Sequence, residues 1–343
     1  NEEENAVPST PLKAAEEEEE ERIGIIYTEY YGTDRKLMNI SAGYASMTQV
    51  TDAGGRKISE TYYDAEGRKV PLKDGYDETR WEYEGGFATA TKSTYYLDGK
   101  PVLNAANGLA IILRELDKDG NATKEWYLGT EGEPVVHQKN KYACVEKTYL
   151  DSKHVLSEAW FDADGKPMTL GDTYVRIERS FDKNKNTISE KTFDAEGRKI
   201  ARNEGYDEVR REYNDKNQAI RISYWLNDQP VLTTAGIAVI CRGYDGAGLV
   251  SEEWYLGTEN EPVIHAKNKY AKVEKAYLDD KHVTSEAWFG TDGKPMTMGD
   301  TYVRIERQFD ERKNTISEKT FGADGQPIAR NEGYDEVRKE FND

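Results

Sequence analysis

The sequence holds only two cysteines, four histidines, five methionines and ten prolines in 343 residues. Two cysteines, Cys144 and Cys241, are too few for the disulfide framework of a small secreted scaffold. No apolar run approaches the roughly 20 residues of a membrane-spanning helix, so membrane insertion is not expected. Positive charge is also scarce, with 47 Lys and Arg against 65 Asp and Glu, a net charge of −18. Such a surface repels nucleic-acid phosphates and anionic lipid, and neither is expected as a partner. Apolar residues make up 36% and charged residues 33%, which leaves no reserve for a thick core.

What the chain does have is repetition. The stretch 139–215 returns as 267–343, shifted by 128 positions, and 61 of the 77 aligned residues are identical. A fixed period is the mark of an array. Within the block lie four smaller units of about 32 residues, with equivalent starts at Gly75, Gly108, Asn140, Thr173, Gly205, Gly236, Asn268, Thr301 and Gly333. The duplicate also serves as an internal control. Lys272 stands at the counterpart of Cys144 and Leu113 at that of Cys241, so both cysteines are read as unpaired.

Each unit reads as two strands and their turns. From Tyr174 to Phe181, Val175, Ile177 and Phe181 share one parity, while Tyr174, Arg176 and Glu178 share the other. This alternation, with its β-branched and aromatic content, predicts strands. Asp117-Lys-Asp-Gly120, Asp182-Lys-Asn-Lys185 and Asp245-Gly-Ala-Gly248 carry turn chemistry, Asp opening and Gly or Asn accepting positive φ. The expected fold is all-β: an elongated tandem array of β-hairpin repeats, grouped in 128-residue blocks of four. Residues 1–21, with nine Glu and one Lys, are expected to form a disordered acidic tail. Residues 22–42 read as a half repeat, 43–331 as the array, and 332–343 as a terminal half repeat. Two accounts fit these halves: the chain is a fragment of a longer array, or the complementary halves pair head to tail between molecules, which gives rings or open filaments.

The aromatic-Asp-x-x-Gly-Arg/Lys rhythm, as in Tyr63-Asp-Ala-Glu-Gly67-Arg68 and Phe161-Asp-Ala-Asp-Gly165-Lys166, resembles the tandem hairpin repeats of bacterial surface and secreted proteins. The YD-type toxin repeats and the choline- or cell-wall-binding repeats are similar. The period here is longer, and the Gly-Trp dipeptide of the choline-binding kind is missing. The resemblance implies an extended β-array in an extracellular or cell-surface location, and carries over no choline site.

Reactive constellations are sparse. The Asp-x-Asp-Gly turns begin like calcium loops, but the opening Asp162 and Asp194 become Gly290 and Gly322 in the duplicate, which suits a turn and not a ligand. The histidines form two pairs one block apart, His137 with His265 and His154 with His282. Each stands alone in its unit beside turn residues and reads as an exposed turn histidine. No nucleophile elbow, phosphate-cradling glycine loop or zinc-protease motif occurs. The chain is therefore read as non-catalytic, with no cofactor and no metal.

Aromatic columns are the strongest functional signal. Before each Gly turn come two adjacent residues: Tyr62-Tyr63, Tyr95-Tyr96, Trp126-Tyr127, Trp160-Phe161, Thr192-Phe193, Tyr224-Trp225, Trp254-Tyr255, Trp288-Phe289 and Thr320-Phe321. Adjacent strand residues point to opposite faces. The second position is always aromatic and reads as the packed spine; the first varies and reads as the free face. On that reading Trp126 and Trp160, then Trp254 and Trp288, form two equal patches flanked by Tyr127 and Tyr255. The expected function is a surface module that binds glycan or cell-wall polymer through these six residues. The alternative is a structural rod or a head-to-tail fibre subunit, with the indoles packed between units.

Overall fold

The computed structural model describes residues 23–341, and the segment expected to form an acidic tail lies outside them. Among the described residues there is no helix, and all strand pairing is antiparallel. The chain divides into two compact units, Asn1–Ile111 and Ile112–Asp343. In the first unit, β1 (Gly24–Glu29), β2 (Ser46–Thr51), β3 (Lys57–Tyr63), β4 (Glu78–Glu82), β5 (Lys92–Leu97) and the short β6 (Lys100–Pro101) pair in sequence order.

The second unit continues the same pattern. Its strands are β7 (Ile111–Leu116), which starts on the border residue, β8 (Ala122–Leu128), β9 (Cys144–Asp151), β10 (His154–Phe161), β11 (Arg176–Phe181), β12 (Thr187–Phe193), β13 (Glu208–Tyr213), β14 (Ala219–Leu226) and β15 (Gln229–Pro230). They are followed by β16 (Val239–Tyr244), β17 (Val250–Leu256), β18 (Lys272–Tyr277), β19 (Val283–Phe289), β20 (Arg304–Phe309), β21 (Thr315–Phe321) and β22 (Glu336–Arg338). The two strands of a hairpin pair along their length, as from Arg176↔Phe193 to Phe181↔Thr187. Successive hairpins share only their middle, as from Ser189↔Arg210 to Lys191↔Glu208. The fold is thus a tandem array of β-hairpins.

Turn chemistry explains the spacing. In the β11–β12 turn, the Asp182 carboxylate accepts the N–H groups of Asn184 (2.8 Å) and Asn186 (2.9 Å), while Lys185 takes positive φ. The register slips by one at Phe181↔Thr187, a bulge that adds twist. After β12 a second such turn follows, with Asp194 capping Glu196 and Arg198 and Gly197 at φ 79°. The chain then returns, the N–H of Ile200 bonding the carbonyl of Thr192, before the next hairpin begins. In the duplicate Gly290 replaces Asp162, and Asp292 alone caps Lys294 (3.0 Å). That opening carboxylate is a turn cap the fold can do without.

Rings stack from hairpin to hairpin along one face. In the first unit Tyr30, Tyr44, Tyr62, Tyr76 and Tyr95 follow one another at centroid separations of 5.7, 4.9, 6.3 and 4.7 Å. In the second, Tyr127 stacks on Tyr142 (5.6 Å), while Trp160 meets Tyr174 (6.0 Å) and Tyr206 meets Tyr224 (4.8 Å) at a tilt. Each such pair adds roughly 0.5–1.5 kcal/mol beyond its buried area. Tyrosine hydroxyls tie neighbouring hairpins as well: Tyr149 to the carbonyl of Ala122 (2.9 Å), Tyr213 to Thr187 (3.0 Å), Tyr244 to Ala219 (2.8 Å) and Tyr277 to Val250 (2.8 Å).

The spine occupies the opposite column from the one expected. Its residues are those whose carbonyl accepts the N–H of the returning segment: Tyr62, Tyr95, Tyr127, Trp160, Thr192, Tyr224, Tyr255, Trp288 and Thr320. In most units that is the first residue of the aromatic pair, and the second, such as Phe161 or Phe193, is half-buried on the other face. In the Trp-Tyr-Leu units the strand runs one residue further, to Leu128 and Leu256, so there the second residue is the buried one.

Candidate functional site

The six residues expected to bind ligand separate onto two faces. Trp160 and Trp288 are 7% and 9% exposed, and Tyr127 and Tyr255 are 4% and 1% exposed; all four belong to the packed spine. Trp160 packs on Val145 and Ile177 with Tyr142, Met168 and Tyr174 around them. Trp126 and Trp254 lie on the opposite face, half-buried. The expected patches of Trp126 with Trp160 and of Trp254 with Trp288 therefore do not form. The physical reason is the one-residue offset: residues of unlike parity were aligned by their indoles, although the turn fixes which side each faces.

The face opposite the spine carries a lattice of rings, cations and carboxylates. Arg176 stands over Phe193 (4.4 Å to the centroid) and pairs with Glu178 (2.7 Å). Arg210 stands over Trp225 (4.0 Å) and pairs with Glu208 (2.8 Å); Arg304 covers Phe321 (4.1 Å) and Arg80 covers Tyr96 (4.3 Å). Lys124 covers Trp126 (4.6 Å) and pairs with Glu146 (2.6 Å), a bond that raises its pKa. Sequence reasoning missed these caps because each couples residues that only strand geometry brings together. The available signal is a Lys or Arg two residues before a ring, as Lys124 is, or across the hairpin from it, either directly, as Arg176 and Arg304 are, or on the diagonal, as Arg80 and Arg210 are.

Trp254 differs from the other tryptophans. Its cross-strand neighbours are Cys241 and Lys272, and it packs on Ala238, Val239 and Cys241. Beside it opens a cleft of about 250 Å³ lined by Glu252, Trp254, Pro262, Lys272, Gly290 and Thr291, among others. Lys272 lies 3.3 Å from Glu252 and 2.7 Å from Glu274. Burial would lower the pKa of Lys272, but the two carboxylates outweigh it and raise it.

On the spine face, each hairpin that carries Thr in the column substitutes an arginine for the missing ring. Arg202 lies between Tyr174 (5.0 Å) and Tyr206 (5.5 Å) and pairs with Glu190, which also meets Arg179 at 3.0 Å. Burial would push the Glu190 carboxyl up, yet the two guanidinium groups hold it below the usual range. Arg330 repeats the arrangement between Tyr302 and Tyr334. A cleft of about 400 Å³ nearby is lined by Lys147, Lys153, His154, Arg179 and Lys185, but Lys147, Arg179 and Lys185 already pair with Glu158, Glu190 and Asp151.

The histidines are not exposed. His137 is buried, its Nδ1 accepting the N–H groups of Lys139 (3.1 Å) and Asn140 (3.2 Å) as a turn cap, and its ring lies 4.7 Å from that of Tyr127. His265 repeats those bonds. His154 and His282 bond Asp151 and Asp279 at 2.6 Å and pack on Phe181 and Phe309. Cys144 and Cys241 are buried free thiols, and burial pushes that of Cys144 up to about 11. Among the described residues no three His, Cys, Asp or Glu side chains converge as metal ligands would.

No family model matches the chain, and no curated protein matches it. Several solved structures are similar to it. A mutant Tc holotoxin pore of Photorhabdus luminescens matches at 12% identity and a TM-score of 0.23, over 90% of this chain and 16% of that one. The TcdB2-TccC3-TEV structure matches at 12% identity and 0.22, over 85% and 18%. TcdB2-TccC3-Cdc42 matches at 12% and 0.24, over 86% and 18%. The chain spans less than a fifth of the length of each of these.

Proposed function

We propose that this chain is a non-catalytic structural repeat module, a spacer whose reach is set by the number of its hairpins. One observation carries the reading: the most regularly repeated rings are used to join each hairpin to the next, and four of the six aromatics expected to meet a ligand lie in that spine. The tyrosine hydroxyl ties and the Arg202 and Arg330 inserts serve the same joint. Stacked repeats of this kind gain stability from nearest neighbours, so length changes without loss of fold.

The test is excision of residues 140–267, which joins Lys139 to Asn268 at equivalent points of the repeat. This removes eight long strands, β9 to β14 with β16 and β17. At about 4.8 Å per strand, X-ray scattering should show the maximum dimension falling by up to about 38 Å, less whatever the twist takes up. The far-UV spectrum per residue should stay unchanged. An unfolded product, or one of unchanged dimension, would defeat the spacer reading.

A further inference from the structure

Of the six tryptophans, Trp160 and Trp288 are buried, and Trp81, Trp126 and Trp225 lie beneath Lys57 (5.2 Å), Lys124 (4.6 Å) and Arg210 (4.0 Å). Among the described residues, Trp254 alone is neither buried nor capped. The two blocks show how this came about. Glu252 stands where the first block has Lys124, so the ammonium that covers Trp126 has no counterpart over Trp254. Gly290 stands where the first block has Asp162, and Thr291 where it has Ala163. Gly290 does not need positive φ, and an added Cβ there would meet only Asp292 Oδ1 (3.3 Å) and the Lys294 carbonyl (3.9 Å). Gly290 lines the cleft, and its bareness there is not demanded by the turn.

The walls define the ligand. About 250 Å³ is below the roughly 300 Å³ at which pockets for drug-sized molecules begin, and suits a single ring. Trp254 and Pro262 offer apolar surface, and Glu252, Lys272 and Thr291 offer hydrogen-bonding groups. A cationic ligand would meet Lys272 and a single indole, where an aromatic cage needs several rings. An anion would meet Glu252, with Glu274 close behind Lys272. A neutral ring with one apolar face and a rim of hydroxyls satisfies every wall.

We propose that the cleft at Trp254 is a carbohydrate subsite, one per chain, that takes a neutral hexopyranose ring stacked on the indole with its hydroxyls on Glu252 and Lys272. The site does not depend on the spacer reading, and the spacer reading survives its loss. In the first block Lys124 covers Trp126 at the equivalent position, and Asp162 caps the turn beside it.

The experiment is calorimetry of the full chain with four neutral hexasaccharides: cellohexaose, chitohexaose, maltohexaose and mannohexaose. At least one should bind with a stoichiometry of one. Trp254→Ala should abolish binding, and Trp126→Ala should leave it unchanged. Gly290→Asp, which installs the residue that the first block carries at this turn, should weaken it by about tenfold while preserving the fold. Lys124→Glu with Cys144→Lys and Asp162→Gly should raise the stoichiometry to two. Binding by none of the four, a wild-type stoichiometry of two, or retention of affinity in both Trp254→Ala and Gly290→Asp would overturn the assignment.

Discussion

Arg202 offers the sharpest test of how the hairpins are joined. Its side chain is 13% exposed and that of its partner Glu190 17% exposed, so both charges are largely out of water. Arg202→Ala leaves Glu190 with Arg179 alone (3.0 Å) and removes a planar cation from between Tyr174 and Tyr206. Breaking a buried pair from one side costs about 3–5 kcal/mol, because the remaining charge stays desolvated. Retention of Arg179 places the expectation at the lower end, about 3 kcal/mol. Hydrogen exchange read by mass spectrometry should then show the β12 and β13 amides exchanging over a hundredfold faster, at about 1.4 kcal/mol per factor of ten. The double variant Arg202→Met with Glu190→Gln, which removes both charges, should recover most of that loss. In the second block Glu318 is 26% exposed, so Arg330→Ala should cost less than Arg202→Ala. A loss under about 1 kcal/mol for Arg202→Ala, or a double variant as damaged as the single, would refute the idea that the guanidinium substitutes for a ring.

Trp160→Ala should lower stability by about 3–5 kcal/mol, the range for emptying a large buried ring. Trp126→Ala, on the half-buried face, should cost far less, and urea midpoints of the two variants compare them directly. The pH response follows from His137 and His265, whose pKa values burial lowers and whose Nδ1 atoms must stay unprotonated to accept two N–H groups each. A lowered value in the folded state means their contribution is complete above the unfolded value of about 6.5 and is lost as pH falls through the lower folded one. Melting temperatures should therefore decline below about pH 6.5, and His137→Gln with His265→Gln should flatten that decline. A second loss sets in as pH falls below about 4, the unfolded carboxylate value, and runs down to about 2, where Asp279, held down by its bonds to His282, takes up its proton in the folded chain.

The hairpin array was legible because its turns are local. Asp182 and Asp194 cap N–H groups two and four residues on, and that information sits in the sequence. Which face of a strand is buried was not legible from the rings, since both members of a pair such as Trp160-Phe161 are aromatic. The turn decides it: for seven of the nine spine residues the positive-φ residue lies five positions on, as Gly165 does from Trp160 and Gly132 from Tyr127, while Tyr95 and Tyr224 precede the shorter turns at Asp98-Gly99 and Asn227-Asp228. Counting from the turns places Trp126 and Trp160 on opposite faces, where counting from the indoles merges them. His137 was misread for a related reason. It does as a cap what Asp or Asn does in other turns, and its burial depends on Tyr127, ten residues earlier. Trp254 stands uncapped because Glu252 takes the place of a lysine, and only the folded neighbour shows that this lysine, Lys124, lies over Trp126.

The near-identity of the two blocks gives the chain a problem in assembly. β12 and β21 have the same sequence, Thr-Ile-Ser-Glu-Lys-Thr-Phe, and β13 and β22 both begin Glu-Val-Arg. The rungs Ser189↔Arg210 to Lys191↔Glu208 are matched residue for residue by Ser317↔Arg338 to Lys319↔Glu336. β12 would thus find in β22 the same three-residue partner it finds in β13. What separates the two is distance along the chain: 14 residues intervene between Phe193 and Glu208, and 142 between Phe193 and Glu336. Closing a loop some ten times longer costs only about 2 kcal/mol more, a bias of roughly thirtyfold. A refolding chain released all at once from denaturant should therefore mispair a measurable fraction of its hairpins across the blocks. Synthesis from the N-terminus removes the ambiguity, since β13 is already paired when β22 is made.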